Sequence, residues 1–341
     1  MMRSVDPPRD LMRTPDDPSI TARRPTTADT LRQRLDHLPP DHPSSPYETD
    51  GSQREPVRID RSDQSCDVTD AEWAEHVAEV REGLASADAQ NLASDHLYTT
   101  DPDHQQWTAA RDRVHGELVS YLYEQAKDVP NDRQAIIAGG LGGAGKSTVL
   151  SKFAGIDLSQ YLIINPDDVK EEMAKRDLIA HIDGLSPMEA SDLVHEESSA
   201  IAKQLGRKAL SDGKNVIWDI TMSSRGSTER RINDLQGAGY IVDGIFVDIP
   251  VETSVRRAEA RHREGHNEYR AGIGLGGRYV PPEVIRAQAD PIWGSKNRKT
   301  FEEVSDLFNR WCRYDNSVDG RAARLDETSP SWDATYEEKG Q

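Results

Sequence analysis

One glycine-rich segment constrains the fold more than any other part of the chain. Residues Gly140–Ser147 read G-L-G-G-A-G-K-S, which matches the pattern G-x-x-x-x-G-K-[ST]. The segment follows the apolar run Ala135–Ala138 and precedes a helical stretch, the context in which this pattern forms a phosphate-binding loop. Its glycines let backbone N–H groups turn towards phosphate oxygens, and the start of the helix adds positive potential. The segment therefore predicts an α/β fold of the P-loop type.

The ligands expected at this loop are ATP and Mg²⁺. Lys146 is placed to contact the outer phosphates, and the Ser147 hydroxyl is a candidate magnesium ligand. The residues predicted to contact the nucleotide are Gly140, Gly142, Gly143, Ala144, Gly145, Lys146, Ser147 and Thr148. A phosphate loop alone does not separate kinases from ATP-driven switches.

The chain after Pro130 alternates short β-branched runs with amphipathic stretches, the pattern of βαβ units. The predicted strands are 135–138, 161–164, 215–220 and 241–249, and the predicted helices are 146–153, 187–211, 227–238 and 251–263. The pattern indicates a mainly parallel sheet flanked by helices. We assign residues 131–320 to this P-loop kinase-like domain and residues 321–341 to a polar C-terminal tail.

The chain before this domain divides into two parts of different composition. Residues 1–62 are rich in Pro, Arg and Asp and poor in large apolar residues, so we expect a disordered tail. Residues 63–130 read as an acidic helical extension with 15 acidic and four basic side chains. A capping-box spacing at Thr69–Glu72 marks its first helix, and helical spacing over 107–126 marks a second.

The charge balance limits the classes of partner. With 42 basic and 60 acidic residues the net charge is -18, so we expect no nucleic acid or membrane partner. The two cysteines, Cys66 and Cys312, make no disulfide framework and no four-ligand zinc site. No apolar run is long enough to be a signal peptide or to span a bilayer, which favours a soluble, cytoplasmic protein.

Carboxylates follow two predicted strands at the ends where open α/β sheets bind ligands. A kinase needs an acceptor group there to orient a hydroxyl and take its proton, and Asp167 is the predicted base. The alternative is that Asp167 or Asp168 only caps the next helix. Asp219 and Thr221 end the following strand and are predicted to bind substrate, with Asp219 also a magnesium ligand or, alternatively, a structural cap.

Two further sets of charged residues complete the predicted site. Glu196 and Glu197 begin a long helical stretch, where they either accept sugar hydroxyls or are solvated helix charges. Arginines 256, 257, 261 and 263 share one helix, and Arg278 follows the glycine-rich stretch 272–277. Arginines on both sides of a glycine-rich hinge are typical of a lid that closes over a triphosphate, and we predict this role for Arg261 and Arg278.

These motifs together resemble the zeta toxin family over residues 134–317. The matching segments are Gly140–Ser147, Asn165–Lys170, Asp219–Thr221, Arg261, Gly276–Pro281 and Tyr314–Ser317. The resemblance implies a UDP-N-acetylglucosamine kinase of a toxin–antitoxin system, which uses ATP to phosphorylate the 3'-hydroxyl of the sugar and so withdraws a cell-wall precursor.

The resemblance also implies roles by position. Asp167 corresponds to the general base, Lys146 and Ser147 to the phosphate and Mg²⁺ ligands, and Arg261 and Arg278 to the γ-phosphate arginines. Two positions depart from the family: Asp219 stands where better-known members have Glu, and Ser223 stands where they have Arg, with Arg225 nearby.

The resemblance further implies a small helical antitoxin that covers the nucleotide site. The acidic extension 63–130 is either a restraint of this kind in cis or a packed structural element. Two alternatives to the proposed activity stay open at this point. One is a P-loop kinase of another small acceptor, such as a different nucleotide sugar or an antibiotic. The other is a non-catalytic, ATP-dependent binding switch.

Overall fold

The computed structural model describes residues 67–333, and every structural statement refers to these residues. The predicted tail 1–62, Cys66 and residues 334–341 of the predicted C-terminal tail lie outside the described range.

A six-stranded sheet forms the centre of the fold. Its strands are β1 Gln134–Gly139, β2 Leu162–Ile164, β3 Val216–Asp219, β4 Ile241–Asp248, β7 Arg310–Asp315 and β8 Arg324–Thr328. They lie in the order β2-β3-β1-β4-β7-β8, and every neighbouring pair is parallel except β7 and β8, which are antiparallel. A separate antiparallel pair consists of β5 Ala289–Asp290 and β6 Gly294–Ser295. The mainly parallel sheet confirms the predicted fold class.

Helices flank this sheet. They are α1 Asp70–Ala89, α2 Ser94–Tyr98, α3 Ala109–Gln125, α4 Lys146–Lys152, α5 Pro166–Lys175, α6 His195–Ser211, α7 Arg225–Gly237, α8 Val251–Arg270, α9 Pro282–Arg286, α10 Lys296–Val304 and α11 Pro330–Asp333. Short 3₁₀ turns cover Leu158–Gln160, Glu189–Val194 and Ser305–Leu307. None of the helices within residues 67–333 is long and apolar enough to cross a bilayer.

The central strand β1 is buried on both faces. Ala135 and Ile137 enter one apolar core, whereas Ile136 and Ala138 enter a second. Successive side chains of a strand point to opposite faces, so one short apolar run supports both helical layers. This arrangement fixes the end of β1, and with it the start of the glycine-rich loop.

The acidic extension is packed into the domain. Leu118 of α3 is fully buried in the same apolar core as Ile137 of β1. The predicted capping box at the start of α1 is confirmed, since Thr69 accepts from the backbone of Glu72 and the Glu72 carboxylate accepts from Thr69. At the other end of the extension, Lys214 Nζ donates to the carbonyl oxygens of Ala126 at 2.8 Å and Val129 at 3.0 Å.

The C-terminal segment differs from the predicted polar tail, because Arg324–Thr328 forms the edge strand β8. Besides its backbone pairing with β7, this strand forms ion pairs: the buried Arg313 of β7 lies 2.9 Å from Asp326 and 2.8 Å from Glu327. Four of its five residues are exposed, so the strand has no alternation of apolar and polar residues by which its sequence could be recognised.

Candidate active site

The glycine-rich loop leads directly from β1 into α4. Gly145 precedes the helix with a left-handed φ of 80°, a conformation that glycine adopts without strain. A Cβ atom at this position would also lie 2.7 Å from Asn316 Nδ2. That amide donates a hydrogen bond to the Ala144 carbonyl at 2.8 Å, so Asn316 holds the loop from the β7 side of the sheet.

Helix α8 holds the same loop from another side. Ser254 Oγ donates to the Gly142 carbonyl at 2.6 Å, and Arg257 Nη1 donates to the Gly143 carbonyl at 3.1 Å. Arg257 Nε also donates to Asp319 at 2.7 Å. Because these side chains bind carbonyl oxygens of the loop, the backbone N–H groups of the loop can turn towards an anion. Arg257, which the sequence groups with the lid arginines, therefore supports the phosphate loop.

Lys146 and Asp219 come together at the ends of neighbouring strands β1 and β3. The Lys146 ammonium lies 3.3 Å from Asp219 Oδ1 and also donates to the Gly140 carbonyl at 3.4 Å. Asn165 Nδ2 donates to the other carboxylate oxygen at 3.4 Å. Burial raises the pKa of Asp219 above its usual value, although the neighbouring Lys146 opposes the shift.

Asp167 lies in the first turn of α5, but it does not cap the helix. The N-cap is Asn165, whose side-chain oxygen accepts from the Asp167 backbone N–H at 2.9 Å. The Asp167 carboxylate instead accepts a hydrogen bond from the Arg278 guanidinium. It is about half exposed, so it remains available to a hydroxyl from solution. The alternative that Asp167 is the structural cap is therefore wrong, and its role as the base stays a prediction.

Lys170 is a site residue to which the sequence prediction gave no role. Its side chain is almost fully buried one turn after Asp167, with Nζ 3.8 Å from Asp167 Oδ1 and 3.4 Å from His195 Nδ1. Burial and the charge of Arg278 lower the pKa of Lys170. The i, i+3 spacing on α5 was the signal available in the sequence.

The predicted lid arginines have different environments. Arg261 is exposed on α8 and forms no ion pair with any residue between 67 and 333. Arg256 pairs with Asp319 at 2.8 Å, and Arg263 pairs with Asp70 of the extension at 2.7 Å. Among these four arginines, Arg278 is the one that donates a hydrogen bond to the predicted catalytic carboxylate, that of Asp167.

The two predicted sugar-binding glutamates also differ. Glu196 is exposed at the start of α6, whereas the Glu197 side chain is fully buried. Its carboxylate accepts from Arg111 at 2.5 and 2.9 Å and from His115 Nε2 at 2.7 Å. Burial acts to raise the pKa of Glu197, but the hydrogen bonds from His115 and Arg111 outweigh it and hold the pKa below its usual value. In place of the predicted role at the substrate, Glu197 joins α6 to the extension.

Three predicted polar contacts lie at the mouth of the site. Ser147 and Thr148 are exposed in the first turn of α4. The Thr221 hydroxyl is also exposed and donates to Ser223 at 3.3 Å, while the Thr221 carbonyl accepts from Asn297 at 2.7 Å. These hydroxyls remain accessible to a ligand.

A cavity of 470 Å³ lies beside β2, between the extension and α5. Asp168 and Asn165 line it together with apolar residues such as Leu122 and Leu205. Desolvation and repulsion from Glu171, Asp219 and Asp167 raise the pKa of Asp168 to about 6. Neither the phosphate loop nor Asp167 lines this cavity.

A known protein family matches this chain. The zeta toxin family profile matches residues 121–307, which is more than half of the chain. A search of curated protein sequences finds no match.

Solved structures of one protein complex are similar in fold to this chain. The AvrRxo1-ORF1:AvrRxo1-ORF2 complex with sulphate ions matches at a TM-score of 0.52 and 18% identity, covering 72% of this chain and 81% of that chain. The complex of the same proteins with ATP gives the same values. A structure of the PezAT chromosomal toxin–antitoxin system of Streptococcus pneumoniae matches at a TM-score of 0.46 and 17% identity, covering 68% of this chain and 89% of that chain.

Proposed function

Because the chain belongs to the zeta toxin family, we propose that it is an ATP-dependent kinase that phosphorylates a sugar hydroxyl. The proposed acceptor is the 3'-hydroxyl of UDP-N-acetylglucosamine, and the proposed effect is that of a toxin that withdraws a cell-wall precursor. An antitoxin protein is the expected partner.

One observation carries the proposal: Asp167 accepts a hydrogen bond from Arg278, and its charge acts on Asp219, which pairs with Lys146 of the phosphate loop. Asp167 accepts the proton of the sugar hydroxyl and orients its oxygen for attack. Arg278 and Lys146 stabilise the negative charge that develops on the phosphoryl group during transfer. Lys170 Nζ lies 3.8 Å from Asp167 Oδ1 and holds the carboxylate in position from the buried side.

ATP supplies the γ-phosphoryl group, and Mg²⁺ neutralises the charge of its phosphates. The residues present fit both ligands. Ser147 offers an exposed hydroxyl and Asp219 a carboxylate, which are oxygen ligands of the kind that Mg²⁺ prefers. The similar AvrRxo1-ORF1:AvrRxo1-ORF2 complex with ATP supports ATP as the nucleotide.

The alternative of a non-catalytic switch is less well supported. A switch needs a phosphate loop, but it does not need a carboxylate placed to activate a hydroxyl. Asp167 is not used as a helix cap, because Asn165 takes that position. A kinase therefore has a use for the Asp167 carboxylate at this position, whereas a switch has none.

A different acceptor is the second candidate, and one observation favours it. Ser223 stands where the family has Arg, and the nearby Arg225 is directed along its own helix, with Nε 3.7 Å from Glu229. Arg225 therefore does not stand in for the missing guanidinium, so this part of the substrate site differs from that of the family.

The test is to incubate the purified full-length protein with Mg-ATP and a panel of acceptors and to measure their masses. The panel contains UDP-N-acetylglucosamine, its 3-deoxy analogue, UDP-N-acetylgalactosamine, UDP-glucose and aminoglycoside antibiotics. We expect UDP-N-acetylglucosamine to gain one phosphoryl group and the 3-deoxy analogue to gain none.

Phosphorylation of another acceptor alone would support the second candidate. If no acceptor gains mass while the protein still binds ATP, the switch becomes the better explanation. The Lys146→Ala variant serves as the control for a contaminating kinase.

A further inference from the structure

Two histidines and a glutamate from three different elements converge outside the candidate active site. They are His76 of α1, Glu189 of the 3₁₀ turn 189–194, and His266 of α8. Glu189 Oε1 lies 2.6 Å from His76 Nε2 and 3.5 Å from His266 Nδ1. One potential ligand atom from each residue lies within 4.8 Å of the other two, which is close enough for all three to bind one ion.

The cluster is buried. The Glu189 side chain is fully buried, His266 is 8% exposed and the His76 side chain is 12% exposed. His266 Nδ1 is buried without a hydrogen-bond partner. A buried polar atom that lacks a partner is costly, and such an atom aimed at two potential ligands indicates a group that binds between them.

The residues around the cluster hold it in place. Glu189 Oε2 accepts from the backbone N–H and the hydroxyl of Ser186, each at 2.8 Å. His262 is one turn before His266 on α8, and its Nε2 atom lies 2.8 Å from Glu189 Oε1. The Trp73 ring packs against the three imidazoles. Partners of this kind orient the ligands of metal sites.

We propose that His76, Glu189 and His266 bind one Zn²⁺ ion, and that His262 orients the glutamate. Two imidazole nitrogens and one carboxylate oxygen suit zinc, whereas Mg²⁺ and Ca²⁺ prefer oxygen ligands throughout. Three protein ligands leave a further position for water. The proposal is independent of the proposed kinase activity.

The proposed ion would connect the extension to the part of the domain that carries Arg278. His76 belongs to the extension, whereas the other two ligands belong to the domain. The Tyr279 ring lies 5.3 Å from the His262 ring, and Tyr279 Oη accepts from Arg81 of α1 at 2.6 Å. Zinc would therefore hold α1 beside Tyr279, the residue that follows Arg278.

The test uses the full-length protein without a histidine tag, stripped with a chelator and then dialysed against Zn²⁺. Millimolar Mg²⁺ is present throughout so that the oxygen ligands of the active site are occupied. We expect one zinc per chain by metal analysis. At zinc 100-fold above its Kd we expect a rise in Tm of about 5 °C.

Two variants and a control assign the site. His266→Gln and Glu189→Gln should each weaken zinc binding by about 100-fold or more. His181→Gln changes a histidine whose side chain is 80% exposed, and it should bind zinc as the unchanged protein does. Equal binding by His266→Gln and the unchanged protein would overturn the proposal.

A measurement on the unchanged protein covers the case in which these variants do not fold. The zinc X-ray absorption spectrum should contain the scattering of two imidazoles together with oxygen ligands. Fewer than two imidazoles, or no bound zinc, would refute the assignment.

Discussion

Arg278 donates a hydrogen bond to Asp167, across 111 residues of sequence. The arginine follows the glycine-rich stretch 272–277, and the aspartate lies in the first turn of α5. A phosphoryl group that binds Arg278 therefore competes with Asp167 for the same guanidinium. This contact links the proposed lid to the proposed base.

Lys146→Ala should lower ATP turnover by about 100-fold or more while the fold is retained. The ammonium stabilises charge on the phosphoryl group and contributes little to either apolar core. Steady-state kinetics and circular dichroism provide the measurement. Lys152→Ala, an exposed change in the same helix, is the matched control and should have normal turnover. Normal turnover of a folded Lys146→Ala protein would refute the phosphate-loop assignment.

Asp167→Asn should bind ATP normally but transfer phosphate about 100-fold more slowly. The amide has nearly the same shape as the carboxylate but cannot accept the proton of the hydroxyl. Nucleotide titration and single-turnover assays separate the two effects. Asp168→Asn is the matched control. If Asp168→Asn loses transfer and Asp167→Asn does not, Asp168 is the base.

Arg278→Ala and Arg261→Ala should each lower kcat by more than they weaken ATP binding, with about a 100-fold loss for Arg278. A contact that forms on closure acts in the transition state more than in the ground state. Arg256→Ala, on the same helix as Arg261 and paired with Asp319, is the control. Equal losses in binding and rate would assign the two arginines to anchoring ATP.

A chain that starts at residue 130 should be less stable than the full chain and no more active per folded molecule. Removal of α3 takes Leu118 out of the core that it shares with Ile137, and it leaves apolar surface exposed. Urea unfolding and specific activity of the folded fraction provide the comparison. Higher specific activity of the short chain would instead support restraint of the kinase by residues 63–130.

Glu197→Gln should lower the free energy of unfolding by about 3–5 kcal/mol at pH 7, because it leaves Arg111 buried without its charged partner. The pKa of Glu197 is lowered from 4.5, so its stabilising contribution is complete above pH 4.5 and is lost as the pH falls through the lower folded value. The variant should therefore show a weaker dependence on pH in this acidic range.

Urea titrations between pH 3 and 7 measure this difference. Glu196→Gln, an exposed change at the neighbouring residue, should stay within about 0.5 kcal/mol of the unchanged protein. Equal stability of Glu197→Gln and Glu196→Gln at pH 7 would contradict the assignment of a buried ion pair.

The sequence by itself determined the path of the glycine-rich loop, the mainly parallel sheet and the position of Asp167 just after β2. Each of these features is local: eight residues around Lys146 specify a backbone path, and short apolar runs specify buried strands. The capping box at Thr69 belongs to the same class and is confirmed. Local patterns of this kind depend on residues that are near one another in the chain, so a single sequence contains them in full.

Only the tertiary structure decided which charged residues face a ligand and which face one another. Glu196 and Glu197 are adjacent, yet one is exposed and the other meets Arg111, 86 residues away. Asn316 supports the phosphate loop across 172 residues, and His76 meets Glu189 across 113. Contacts at these separations depend on how the strands are ordered and how the extension packs. The free energy of burying a charged side chain depends on how deeply it is buried and on its partner. Both follow from that packing and leave no periodic pattern in the sequence.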